Sequence, residues 1–367
     1  MILETLRLAD FRNFRSLEIG FEGRSAAIWG PNGRGKTNLL EAIFLLGATR
    51  SHRTRRDAEL VRFESRAFSV AGELRKGGGG RTTLALVYEE GAGKRGSVDR
   101  KEVARLSEMV GRCGVVFVSP EDVDITRGEP ERRRQFLDLT LCTLSGVYLR
   151  SLQEYQRVHR HRGRLLREGF GRGGGALLDP WDRQLARFAT PLLEMRREAL
   201  EELGPIAEGV YGELGGGERL EVAYVPGVRG DDGASEEAFV RKLRMHRERD
   251  LRTGRTSVGP HLDDVEILLG GKTIRSFGSR GQHRTAVLAL KIAAGRLMRR
   301  VTKESPLLLL DDVFTELDEG RSLALAERLA GEGQVFATGT DRSDLERYFP
   351  DAVRFSLPEE GMVVREG

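Results

Sequence analysis

Residues 30–37 read GPNGRGKT, and the spacing of Gly30, Gly35, Lys36 and Thr37 fits a phosphate-binding loop. Glycines without a Cβ let backbone N–H groups turn inward around phosphate oxygens, and a helix starting there adds its positive end. In this reading Lys36 reaches the β- and γ-phosphates of ATP, and the Thr37 hydroxyl ligates Mg²⁺. Pro31, Asn32, Gly33 and Arg34 complete the loop. Far downstream, four leucines (307–310) end in Asp311 and Asp312. A run of this kind is a strand buried on both faces. Asp311 at its end could hold the Mg²⁺, and Asp312 could polarise an attacking water.

Between them lies FGSRGQHR (277–284), placed just before a helical stretch. Ser and Gly at a helix start make a second anion site. A Ser-x-Gly-Gln segment some 30 residues before such an acidic strand resembles the signature motif of ABC-type ATPases. That resemblance implies that Ser279, Gly281 and Gln282 contact the γ-phosphate held by the opposite subunit. The chain carries each half-site once, so a complete ATP site implies an ATP-dependent homodimer.

The positioning elements follow from periodicity. Residues 3–11 and 15–21 read as two strands turning at Arg12-Asn13, and 25–29 as a buried strand entering the loop. A helix is expected over 37–46, a hairpin over 67–75 and 81–90, and a short strand at 115–118 stopped before Pro120. Residues 131–170, 180–214 and 235–252 are charged with helical period, with a break at GRGGG (171–175). Strand-like sequence returns at 256–269, followed by a helix over 281–300, a strand at 307–310, a helix at 319–331 and a strand at 333–338. The fold class expected is α/β, an ATPase domain assembled from 1–128 and 256–367 with a mainly helical lobe inserted at 129–255. No long heptad stretch supports a coiled-coil arm.

Composition narrows the class. The chain has 367 residues and a formal net charge of +4, with a pI of about 9.2. This permits an acidic partner. Eight of its 60 basic residues are Lys and 52 are Arg, so single Arg clusters carry less weight. Cys113 and Cys142 lie in apolar sequence without metal spacing and read as buried thiols. The N-terminus is charged and alternating, and no apolar run approaches the ~20 residues of a membrane span. A soluble, cytoplasmic protein is expected.

Together, LRLADFRNF, SHRTRRDAELVRF (51–63), SPEDVDITRGEPERRRQFLD (119–138), TSVGPHLDDVEI (256–267), SRGQHRTAVLALKIA (279–293) and LLLLDDVFTELD (307–318) resemble the RecF family. These are bacterial DNA replication and repair proteins related to SMC ATPase heads. The resemblance spans nearly the whole chain. It implies an ATP-dependent DNA-binding dimer acting at single-strand gaps and junctions. It also implies mediator partners such as RecR, help in loading a recombinase onto single-stranded DNA, and a link to SOS induction. ABC-type enzymes usually carry Glu where Asp312 stands, and the shorter side chain suggests slow hydrolysis. Glu121 or Asp122 stands where a Q-loop Gln would be, and Thr338 or Thr340 where a switch His would be. By analogy with relatives, Arg12 could touch the nucleotide. These departures count against the alternative, an ATPase subunit of a membrane transporter. A kinase or GTPase would leave Ser279–Gln282 incidental, and no Asn-Lys-x-Asp motif is found.

Three basic clusters are candidates for backbone-directed contacts to DNA, whether single-stranded, gapped or double-stranded. Arg53, Arg55 and Arg56 follow the loop helix. Residues 158–167 form a basic helical stretch, and Arg241, Arg244 and Arg252 share roughly one helical face. Little aromatic interleaving is present, so base stacking and sequence readout are not supported. Because the signature acts across an interface, Ser279→Arg should leave ATP binding intact and block ATP-driven dimerisation. Sedimentation velocity checks this, and normal dimers would refute it.

Overall fold

The computed structural model describes residues 1–168, 177–227, 235–317 and 319–366. The chain divides into two compact units, one of residues 1–123, 206–218 and 279–367, the other of 124–205 and 219–278.

The first unit holds two six-stranded sheets. One is antiparallel, in the order Phe14–Gly20, Ile2–Phe11, Ala67–Arg75, Arg81–Glu89, Gly93–Val98, Lys101–Glu102. Its first four strands match the expected segments. Gly93–Val98 carries no strand signal in its sequence, because GKRGSV offers no apolar alternation. The other runs Val364–Glu366, Val353–Ser356, Ala26–Trp29, Val335–Gly339, Leu307–Leu310, Val115–Val118. All its neighbours pair parallel except the edge strand Val364–Glu366. Every residue of Ala26–Trp29, Leu307–Leu310 and Val115–Val118 is buried, as two-sided coverage requires.

The helix Lys36–Ala48 packs against strands of both sheets, and it is buried at every position from Leu39 to Ala48. Gly47 allows the close approach: a Cβ there would lie 2.6 Å from the Cys113 carbonyl oxygen. Cys113 is buried, which pushes its thiol pKa up to about 12. Cys142 is only half-buried, short of the expectation. Gln334 ties sheet to sheet, accepting from the Leu3 N–H at 2.7 Å and donating to its carbonyl at 3.0 Å.

The second unit differs from the expected lobe. Its longer helices are Pro130–Leu144, Gly146–Glu168 and the part of Asp179–Glu213 before Ile206, with Glu236–Met245 and Arg247–Thr253. The continuous 131–170 period breaks at Ser145, whose hydroxyl accepts from the Tyr148 N–H at 3.2 Å and caps the next helix. The GRGGG break lies outside the described residues. The unit also contains a three-stranded antiparallel sheet, Lys272–Thr273, Asp264–Leu269, Leu220–Val225. This pairing holds residues 256–278 in the second unit, whereas the sequence assigned them to the ATPase domain. Strand is confined to Asp264–Leu269, because 256–263 turns through Pro260.

Charged side chains knit this unit internally. Arg162 is fully buried and donates to Asp182 at 2.8 Å, Asp250 at 2.7 Å and Thr256 at 2.8 Å. Arg196 binds Asp138 at 2.7 Å and Asp263 at 2.6 Å. The basic 158–167 stretch is thus partly core. Removing one partner of such a network strands the others without water. Arg162→Ala should cost ~3–5 kcal/mol of stability, read as a lower urea midpoint by circular dichroism.

Candidate functional site

Four parallel strands of the first unit end at one edge of their sheet, and each feeds a candidate segment. Trp29 leads into Gly30, Val118 into Ser119, Leu310 into Asp311 and Gly339 into Thr340. Crevices at the carboxyl edge of parallel sheets are where such folds bind ligands.

The loop at 30–37 has the backbone a phosphate cradle needs. Gly30, Gly33 and Gly35 have φ of 156°, 81° and 110°. A Cβ on Gly35 would lie 2.4 Å from the Asn13 side chain. Asn13 in turn donates to the Arg34 carbonyl at 2.9 Å and accepts from Asn38 at 2.8 Å, so the first hairpin holds the loop. Lys36 is buried, its ammonium on the carbonyls of Gly30 at 2.7 Å and Pro31 at 3.3 Å. A polyphosphate offers this cation stronger acceptors in the same place.

Asp311 is buried at the end of its strand and accepts from the Thr338 hydroxyl at 2.8 Å, with the Thr37 hydroxyl close enough to favour its charged form. Thr37 and Asp311 therefore meet, as the shared ligation of one cation demands. Burial raises the Asp311 carboxyl above the ordinary aspartate range. The hydroxyls of Thr338 and Thr37 oppose this, while Asp312 and Glu121 add to the rise. A buried carboxylate crowded by others, beside a hydroxyl and an anion cradle, suits a hard divalent cation with oxygen ligands. The residues present thus fit both ATP and Mg²⁺.

Asp312 adopts the left-handed conformation, φ 49°, which turns its half-exposed side chain at the strand end. Its N–H donates to Thr338 Oγ1 at 2.9 Å. Thr338 thus braces both aspartates from inside the sheet, while Thr340 is exposed beyond the strand. Between the two Q-loop candidates, Asp122 is engaged: it accepts from the Ser119 N–H at 2.9 Å and pairs with Lys291 at 2.7 Å. Glu121 is the one whose charge reaches Asp311.

Ser279 caps the helix Arg280–Thr302 in a reciprocal capping box. Its hydroxyl accepts from the Gln282 N–H at 3.3 Å, and its N–H donates to the Gln282 side chain at 2.8 Å. Gln282 also donates to Glu218 at 2.7 Å. Gly281 admits the Arg321 guanidinium, which would lie 2.7 Å from a Cβ. None of these bonds involves the phosphate loop or Asp311.

Arg12 is committed elsewhere than sequence analogy suggested. It makes a two-pronged pair with the fully buried Glu41, both at 2.8 Å, and donates to the Glu59 carbonyl at 2.8 Å. Arg53 donates to Asn38 at 3.0 Å and lies 3.7 Å from Glu41. Asn13, Asn38 and Glu41 belong to no binding motif, and their roles come only from contacts between distant segments. Arg55 lies in the same exposed loop, and the Arg56 side chain is 84% exposed. In the second unit the shared face of Arg241, Arg244 and Arg252 is not kept. The helix divides at His246, Arg252 falls on the second piece, and Arg244 lies 3.5 Å from Asp179.

Comparison with known proteins places this geometry. A family model described as "RecF/RecN/SMC N terminal domain" matches residues 2–77. The "DNA replication and repair protein RecF" of Lachnoclostridium phytofermentans is 36% identical over 333 residues, 90% of this chain and 91% of that one. The chain belongs to the RecF family. Its relative of the same description in Bacillus cytotoxicus is 35% identical over 354 residues, 94% of each chain. A solved structure, "Structure of the recombination mediator protein RecF-ATPrS in RecFOR pathway", superposes with a TM-score of 0.90 at 31% identity, covering 100% of this chain and 98% of that one. An Smc head bound to the C-winged helix domain of ScpA shares the fold, with a TM-score of 0.59 at 15% identity. The family is that of DNA replication and repair proteins with an SMC-head fold. The transporter alternative finds no support in these likenesses. Among the described residues no helix is long and apolar enough to cross a membrane.

The raised Asp311 carboxyl has a consequence for stability. A carboxyl whose folded pKa lies above its unfolded one favours the fold in acid, and that contribution is lost as pH rises through the folded pKa. Ionised Asp311 therefore weakens the ligand-free fold at neutral pH. Asp311→Asn should raise the melting temperature there without nucleotide or metal, with the gain shrinking as the pH falls into the ordinary aspartate range. Differential scanning fluorimetry across pH checks the sign.

Proposed function

We propose that this chain is an ATP-operated switch of DNA repair, which dimerises on ATP and holds DNA in the dimeric state. The observation that supports this best is the split of its anion-binding groups. The phosphate loop, Thr37 and Asp311 converge at one sheet edge, while Ser279, Gly281 and Gln282 form a separate cap whose bonds do not involve them. Two copies would complete two sites.

In the proposed cycle Lys36 leaves the Gly30 and Pro31 carbonyls for the β- and γ-phosphates. Thr37 and Asp311 hold the cation, which when bound neutralises charge on the phosphates. Asp312 orients a water in line with the γ-phosphorus and accepts its proton as the bond to the β-phosphate oxygen breaks. Thr338 holds Asp312 by its backbone, so the carboxylate is aimed without a longer side chain. Its short reach supports slow turnover, suited to a switch. The likeness to a recombination mediator of the RecFOR pathway supports DNA and mediator proteins such as RecR as partners. Arg53, Arg55 and Arg56, with Arg241, Arg244 and Arg252, are the proposed phosphate contacts, and Arg53 and Arg244 would first have to leave their present partners.

The deciding experiment is molar mass by light scattering with ATP, ADP and no nucleotide, repeated with gapped DNA, for the natural chain and Asp312→Asn. Both should dimerise with ATP, and the variant should lose phosphate release by ~10²-fold or more. Monomers under all conditions would refute the switch, and unchanged phosphate release would remove Asp312 as the base.

A further inference from the structure

The second unit contains a cleft of about 630 Å³ between the helix Gly146–Glu168 and the turn at 254–262. That lies within the ~300–1,000 Å³ of small-molecule sites. Four arginines, Arg160, Arg164, Arg167 and Arg255, line it, and all four are exposed. Among the described residues no carboxylate lines it. The acidic residues nearest in the network, Asp182 and Asp250, are buried and taken by Arg162. Arg160, Arg164 and Arg167 follow one another at helical spacings of four and three, where like charges repel. An anion among them would offset that repulsion.

The remaining wall is of another character. His261 donates through Nε2 to the Thr256 carbonyl at 2.9 Å, and its Nδ1 lies 2.6 Å from the Tyr155 hydroxyl, which donates to it when the ring is neutral. Burial, and then neighbouring His159, lower its pKa to about 3. His159 packs on it with ring centres 4.2 Å apart. The cleft therefore joins a neutral aromatic wall to a set of guanidinium groups. Phosphate chemistry fits the arginines, and a flat heterocycle fits the imidazoles.

We propose that this cleft, made wholly of second-unit residues, is a second nucleotide-binding site, in which the arginines hold a phosphate and the imidazole wall holds a base. The nucleotide is either free or one unit of a single strand. This does not rest on the ATP switch, since none of its residues belongs to the phosphate loop.

The test uses the full chain with two probes, a fluorescein-labelled thymidine 15-mer and thymidine monophosphate. Arg164→Ser combined with Arg167→Ser should weaken at least one probe by about tenfold or more, while binding of a fluorescent ATP analogue stays unchanged. Loss on the 15-mer identifies a single strand as the source, and loss on the monophosphate alone identifies a free nucleotide. Unchanged affinity for both probes would overturn the site. Where the 15-mer is the probe that loses affinity, an abasic 15-mer that binds as tightly as the thymidine one would also overturn it, because the base would then contribute nothing.

Discussion

The helix Lys36–Ala48 must be covered on every side, and much of the first unit follows from that constraint. From Leu39 to Ala48 it presents no face that water can solvate. A helix of this kind needs a layer above and a layer below. The antiparallel sheet supplies one and the parallel sheet the other. This clamp carries the chemistry with it, because the first residue of the helix is Lys36 and the strand before it ends at Trp29, next to Gly30. A shift of the helix would misplace the phosphate cradle. The Asn13 bond to the loop and the Arg12–Glu41 pair fix its remaining freedom, each from the first hairpin.

At the sheet edge, a single hydroxyl organises two carboxylates. Thr338 is fully buried, donates to Asp311 and accepts from the backbone of Asp312. Two acids next to each other would otherwise repel and point at random into the crevice. With Thr338 in place, one is held inside toward Thr37 and the other is turned outward by its left-handed backbone. Thr338, one of the two candidates for the switch-His place, is thus spent on bracing, and Lys291 similarly engages Asp122.

One of the segments that carry the family resemblance is largely structural. In GPHLDD, Asp263 accepts from Arg196, Tyr224 and the Gly227 N–H, and Asp264 pairs with Arg133. His261 is locked between Tyr155 and Thr256. A buried charge left without its partner is costly, so such residues cannot be changed singly. Asp263 and Asp264 thus serve networks inside the second unit.

Local conformation is legible from the chain alone. GPNGRGKT, the Leu307–Leu310 strand with its aspartates, and the cap at Ser279 depend on backbone conformation and residue type within a few positions, which sequence records directly. The first hairpin, the loop helix and the buried strands were legible because their apolar periods are strong. What depends on pairing between remote segments was not. The strand Leu220–Val225 draws Asp264–Leu269 out of the expected ATPase domain, and Arg162, read as surface, is buried by carboxylates 20 and 88 residues away. The choice of Asp122 for Lys291, with Glu121 left toward Asp311, and the bracing role of Thr338 are of the same kind. A charged side chain has the same sequence signature whether it meets water or a distant partner, and only the tertiary structure decides which.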